Sequence, residues 1–189
     1  GVLPSDTETP YLKQSIWSIY KSRMPWLLFL MISSIFTGKI ISSYENALGT
    51  YVILTAFIPM IMGSGGNAGS QASVTVIRAL SLEEIEFSDL LKVIWKELRI
   101  SFFCGITLAF CNFLKLMFLD KIAFDVSLVI SITLVLTIFL AKAIGSILPI
   151  FAEKFKMDPA VMASPLITTI VDAGSLMIYF KIACMLLNI

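Results

Sequence analysis

Long apolar runs alternate with short polar stretches along this chain. Five of the runs stand out: Pro25 to Tyr44, Ala47 to Arg78, Leu98 to Leu119, Val126 to Phe151 and Ala160 to Leu187. About 20 apolar residues are needed to cross the hydrocarbon core of a bilayer. The pattern therefore predicts an all-α polytopic membrane protein with five transmembrane helices per protomer. Ahead of the first run, Leu12, Ile16, Ile19 and Tyr20 recur at helical spacing among charged residues, which predicts an amphipathic helix on the cytoplasmic membrane surface. Two regions follow from this division: a linker with that surface helix over 1–24, and a five-helix pore domain over 25–189. Pro25 suits a first helical position, and Asp158-Pro159 suits a helix start with aspartate as cap.

Composition agrees with the pattern. The 189 residues are 58% hydrophobic with a mean hydropathy of +0.91, far above a soluble domain. The net charge of +1 is segregated between the runs rather than laid out as a basic stripe, which argues against nucleic-acid binding. Lys13, Lys21 and Arg23 precede the first span, Arg78, Lys92, Lys96 and Arg99 lie between the second and third, and Lys154 and Lys156 between the fourth and fifth. With five spans these regions share one side, so the positive-inside rule puts the N-terminus in the cytoplasm and the C-terminus outside a cell membrane, the inner one where there are two. Beginning at Gly1 instead of Met reads as a tag scar or an excised fragment with soluble regions upstream. Cys104, Cys111 and Cys184 lie within spans and the chain has no His, which disfavours a zinc or redox site.

The connection Ser81 to Lys96 is first acidic (Glu83, Glu84, Glu86, Asp89) and then basic, and reads as a short helix along the cytoplasmic face. Its carboxylates are either a solvated face or a cation-binding one. In the fourth span Thr133, Thr137, Ala141, Gly145 and Pro149 fall four apart, a row of small residues suited to close helix contact.

Candidate chemistry lies in two stripes. In the second span Ser64, Asn67, Gln71, Thr75 and Arg78 share one helical face, while Gly65 and Gly69 form a GxxxG pair on another. Gly63, Gly65, Gly66 and Gly69 also weaken this helix, and glycines and amides are poor material for lipid contact. In the last span Ser164, Thr168, Asp172, Ser175 and Tyr179 form a second polar stripe. Asp172 falls near mid-span, where a lipid-facing aspartate costs roughly 2.5–3.5 kcal/mol. It should face water, a cation or a basic partner; Lys115 and Lys142 are the candidate basic partners, and both are long enough to snorkel to an interface instead. An all-oxygen set without sulfur or imidazole favours hard cations. Magnesium, which keeps its waters while touching one or two carboxylates, ranks first among divalent cations, with manganese, cobalt, nickel and calcium behind it. A single acid is little for such an ion, but a twofold homodimer would supply two Asp172 carboxylates at one depth.

Pro59-Met60, Gly63 and Gly65-Gly66-Asn67-Ala68-Gly69-Ser70-Gln71, then Asp158-Pro159-Ala160, Pro165, Thr168-Thr169, Asp172 and Tyr179-Phe180, resemble the MgtE-type magnesium channels from about Pro10 to the C-terminus. The resemblance implies a homodimer with a magnesium pore on its twofold axis, in which Asp172 is the main carboxylate holding hydrated Mg2+, helped by Asn67 and by oxygens of Thr168 and Gly66. The stripes add Gln71 and Ser175. Full-length members carry cytosolic magnesium-sensing domains. A fragment without them would keep the selectivity site and lose most magnesium-dependent closure, residues 10 to 24 being the remnant of the connecting helix. A carrier of divalent cations fits a mid-span carboxylate as well as a channel does, and a non-transporting membrane scaffold is the remaining alternative. The spans hold neither a pair of catalytic acids nor a nucleophile with a base, so an enzyme is not expected.

Overall fold

A computed structural model describes residues 11–156 and 159–188, and for 160–164 and Tyr11 the backbone alone. The predicted cap at Asp158, the chain before Tyr11 and the side chain of Ser164 lie outside the described residues. Six α-helices follow in order: α1 (Ile16–Ser43), α2 (Glu45–Thr50), α3 (Ile58–Ser81), α4 (Leu90–Leu114), α5 (Phe124–Lys154) and α6 (Pro159–Leu187). Among the described residues there is no strand. Five helical segments are long and apolar enough to cross a membrane, as the hydropathy pattern predicts. The chain is an all-α, multi-pass membrane protein.

Three local expectations are corrected. Pro25 lies inside α1 rather than at a helix start, so the turns before it run without interruption into the first span. The helix expected along the cytoplasmic face between Ser81 and Lys96 is the beginning of α4, which a short 3-10 turn at Phe87–Asp89 leads into directly. Its start is capped reciprocally: the Glu86 side chain accepts from the backbone of Asp89, and the Asp89 carboxylate accepts from the Glu86 N–H at 3.3 Å. The second span is broken, but not at its glycines. It consists of α2, a 3-10 segment (Val52–Phe57) and α3, and α3 runs unbroken through Gly63, Gly65, Gly66 and Gly69. Glycine costs about 1 kcal/mol per position in an isolated helix, and here the close approach of two other helices compensates for it.

That approach sets the architecture. α5 is the central helix, packed by α3, α4 and α6, and its row Thr133, Thr137, Ala141, Gly145 and Pro149 is buried throughout. Gly65 faces Thr137, Gly69 faces Ala141, and Gly145 rests against the Gly69 backbone. The row is a packing seam. In lipid no hydrophobic effect draws helices together, so small residues that bring backbones into van der Waals contact carry the association.

Toward the end of the bundle where α6 finishes, Leu54, Phe57, Ile61, Ile130, Leu176 and Phe180 form the largest apolar cluster. The buried Tyr179 hydroxyl there donates to the Leu54 carbonyl at 2.9 Å, tying α6 to the 3-10 segment. α1 is peripheral. None of its residues is buried, and it joins the core through Ile40 and Ile41 and through Tyr44 beyond its end, which stacks on Phe180.

Candidate ion-binding site

The predicted site residues sit on two helices, α3 and α6, that meet along a glycine seam. A Cβ on Gly65 would lie 2.7 Å from Val171 Cγ1, 2.8 Å from Thr137 Cγ2 and 3.2 Å from Ser175 Oγ. One on Gly69 would lie 2.7 Å from Ile167 Cγ2 and 3.1 Å from the Ala141 carbonyl oxygen. These positions accept no side chain without displacing a neighbour, so the two glycines fix how deeply α3 sinks between α5 and α6. Gly66 is less crowded, with Thr168 Cγ2 at 3.5 Å from its notional Cβ. Gly66 and Thr168 are thus brought face to face, and Ser175 is brought to Gly65.

The polar stripe of α6 is not uniform. Ser175 and Tyr179 are fully buried, while Thr168 and Asp172 are half-buried. The Ser175 hydroxyl has no hydrogen-bond partner among the described residues. The Thr168 and Thr169 hydroxyls both donate to the Pro165 carbonyl, at 2.9 and 3.0 Å. Hydroxyls that bond back into their own helix let polar residues sit in a membrane span at little cost.

Asp172 stands one turn beyond Thr168. The two candidate partners from the sequence are engaged elsewhere: Lys142 with Glu97, at 3.7 Å, and Lys115 with Asp120, at 2.5 Å. Among the described residues Asp172 makes no hydrogen bond or ion pair. A half-buried carboxylate without a protein partner is costly in a span unless water or a cation reaches it.

Asn67 and Gln71 lie on another flank of α3. With Thr75 and Arg78 they are exposed, as a single helical face requires. Asn67, Ser70, Gln71 and Thr75 line an open cleft of about 810 Å3, whose opposite wall carries Glu97 of α4 and Lys142 of α5. The six predicted residues are therefore distributed: Gly66 and Thr168 at the seam, Ser175 buried behind it, Asp172 half-buried beside it, and Asn67 and Gln71 on the cleft.

Sequence reasoning missed the ion pair of Glu97 and Lys142. A signal for it was present, because Glu97, Ser101, Gly105 and Ala109 fall four apart and form the buried face of α4. An acid continuing a row of small residues belongs to that face. Near the predicted cytoplasmic end, Glu83, Glu84, Glu86, Asp89 and Glu153 border a separate cleft. Lys92 pairs with Asp89 at 2.8 Å, and Lys154 lies 3.5 Å from the centre of the Phe87 ring. No group of three or more His, Cys, Asp or Glu among the described residues is placed to hold a metal ion.

Residues 58–182 match the family model described as MgtE: Divalent cation transporter. The chain is 39% identical over 165 residues to the magnesium transporter MgtE of Bacillus subtilis, an overlap of 85% of this chain and 36% of that protein. It is 30% identical over 175 residues to the magnesium transporter MgtE of Thermus thermophilus, covering 90% and 38% respectively. Against the magnesium transporter MgtE of Enterococcus faecalis the figures are 32% over 169 residues, with 88% and 36% covered. The chain thus spans little more than a third of the length of these curated relatives. The family match begins at Ile58, the first residue of α3, and ends at Ile182 near the close of α6, so it takes in the whole seam between them, and the chain belongs to the MgtE family of divalent cation transporters.

Proposed function

We propose that this chain forms the pore of a magnesium channel, passing hydrated Mg2+ along the twofold axis of a homodimer, with the two Asp172 carboxylates as its selectivity site. The named relatives are magnesium transporters, which makes Mg2+ the first cargo to consider. The observation that carries the reading is Asp172 itself: a half-buried acid within α6, without a charge partner among the described residues, while the two candidate lysines, Lys115 and Lys142, pair with other acids. A hydrated divalent ion between two such carboxylates satisfies both of them and keeps its inner waters. Thr168 lies one turn from Asp172 on α6 and Gly66 abuts Thr168 from α3, and both contribute oxygens toward the same passage, with Ser175 behind them. Asn67 and Gln71 extend it along α3.

In this reading residues 1–24 are the N-terminal linker region, whose last turns continue into the first span, and 25–189 are the pore domain. The N-terminus faces the cytoplasm and the C-terminus lies outside, in accordance with the basic residues around Arg23, Lys96 and Lys156. Regulation by cytosolic magnesium would reside in parts that the relatives have beyond the matched region. The reading is tested by recording across planar bilayers that contain the purified chain, with Mg2+ as the permeant cation. Unitary currents that need no proton or sodium gradient are expected. Flux without currents, saturable and coupled in fixed ratio to protons or sodium, would make the protein a carrier instead.

A further inference from the structure

A buried ion pair faces the same cleft as Asn67 and Gln71, and the pore proposal gives it no task. Glu97 and Lys142 are 6% and 5% exposed, on different helices, and both line the cleft. Their closest approach, Lys142 Nζ to Glu97 Oε2, is 3.7 Å. That is longer than a charge-assisted hydrogen bond, which is about 2.7–2.9 Å. Glu97 Oε2 has no hydrogen-bond partner among the described residues. A pair serving only to fasten α4 to α5 in a dry interior would need close contact and satisfied oxygens to offset its desolvation. This one is loose, and it stands beside an open space of about 810 Å3 that also carries Asn67, Ser70, Gln71 and Thr75 on its wall, large enough for many waters.

We propose that Glu97 and Lys142 form a charge-balanced gate pair on the wall of the ion path, the ammonium repelling divalent cations and the carboxylate attracting them, so that together they set how strongly the passage draws in its ion. This inference rests on the pore reading. Asn67 connects the two regions: it lines the cleft, and its neighbour in sequence, Gly66, abuts Thr168 one turn from Asp172. Lys142 occupies the place a mobile cation would take beside Glu97. Glu97 in turn prevents a bare ammonium from closing the path to cations. Such a pair leaves the wall near neutral, which lets an ion enter without being trapped.

The two single neutralisations then act in opposite directions. Lys142→Met leaves the carboxylate alone and should lower the Mg2+ concentration for half-maximal flux, and Glu97→Gln leaves the ammonium alone and should raise it. For one unit charge on the order of 10 Å from a divalent ion in water-like surroundings, the shift is roughly fourfold, and larger at lower effective dielectric. The double variant Glu97→Gln, Lys142→Met should fall between the singles. Flux is read with a magnesium-sensitive dye in liposomes containing the chain, after each variant is shown to elute as the wild type does.

A fastening role alone would shift both singles the same way, or neither, and that result overturns the proposal. If a single variant does not fold, Gln71→Glu and Gln71→Lys on the exposed wall of the cleft apply the same test without stranding a buried charge. The lysine should raise the half-saturating concentration and the glutamate lower it, and equal responses overturn the proposal. Asp172→Ala is run beside them. Flux unaffected by Asp172→Ala removes the pore reading itself, whereas loss of flux there with same-sign shifts at Glu97 and Lys142 removes only this inference.

Discussion

Replacing Asp172 by alanine is expected to abolish magnesium flux while leaving the fold in place. In the proposed dimer the substitution removes two carboxylates at one depth. Each attracts a divalent ion at about 5 Å, the distance of a water-separated contact, by roughly 2 kcal/mol in water-like surroundings and roughly 7 kcal/mol at an effective dielectric constant of about 20. Even the lower figure, doubled, corresponds to a loss of more than about a hundredfold. The fold should tolerate the change because Asp172 has no protein partner among the described residues to leave stranded. Removing a mid-span acid also lowers the cost of membrane insertion. Dye-reported flux in liposomes, with size-exclusion profiles as the control for folding, checks both halves. Asp172→Glu, which keeps the charge and moves it by one methylene, should retain part of the flux. Wild-type flux in Asp172→Ala would detach Asp172 from transport.

The second large effect concerns the seam. Gly145→Ala should destabilise the bundle by about 3 kcal/mol, the upper part of the range for inserting a methyl into a filled core. The new Cβ would collide with the Gly69 carbonyl oxygen and lie 2.9 Å from its carbon. Those atoms are helix backbone and have no rotamer by which to withdraw. α3 and α5 would have to separate, loosening Gly65 from Thr137 and Gly69 from Ala141, and with them the placement of Asn67 and Gly66. The comparison that isolates packing is Gly63→Ala, on the same turns of α3 but with nothing within 4 Å of its notional Cβ. There the gain in helix propensity, about 1 kcal/mol, should act unopposed. Thermal unfolding in detergent should therefore move down for Gly145→Ala and hold or rise for Gly63→Ala. If both move alike, the seam is not what holds α3 in place.

The amino-acid sequence revealed much of this fold because a bilayer imposes one strong rule, a length of apolar helix, and the chain obeys it five times. It marked Gly65 and Gly69 on α3 and the row of small residues on α5 as places of close helix contact, because small residues four apart have few other uses in a span, but it did not pair the two helices. It did not reveal the break in the second span, since Val52–Phe57 is itself strongly apolar and reads as part of one continuous span. Hydropathy does not register a change from one helical hydrogen-bond pattern to another. Pro25 misled for a related reason. It fits a first turn, but a neighbourhood of good helix formers holds it inside α1 instead.

The candidate site was legible to a different degree on each helix. On α3 the stripe of Asn67, Gln71, Thr75 and Arg78 is an exposed face, as spacing implied. On α6 the same reasoning joined residues with different surroundings. Tyr179 ends in the core because its hydroxyl finds the Leu54 carbonyl, a partner 125 residues away that no local pattern discloses. Ser175 is buried by the depth to which Gly65 lets α3 approach. A polar stripe reports that hydroxyls share a face, and only the neighbouring helices decide whether that face opens on water. Glu97 was obscured by its position at the edge of a charged connection, although its row with Ser101, Gly105 and Ala109 placed it inside the bundle.

Diffraction at the manganese absorption edge, from crystals of the chain grown with Mn2+ in place of Mg2+, tests the central claim most directly. The account predicts one anomalous peak on the twofold axis, flanked by the two Asp172 carboxylates at water-separated distance. A peak away from that axis, or Asp172 side chains turned to lipid with no metal between them, would contradict it.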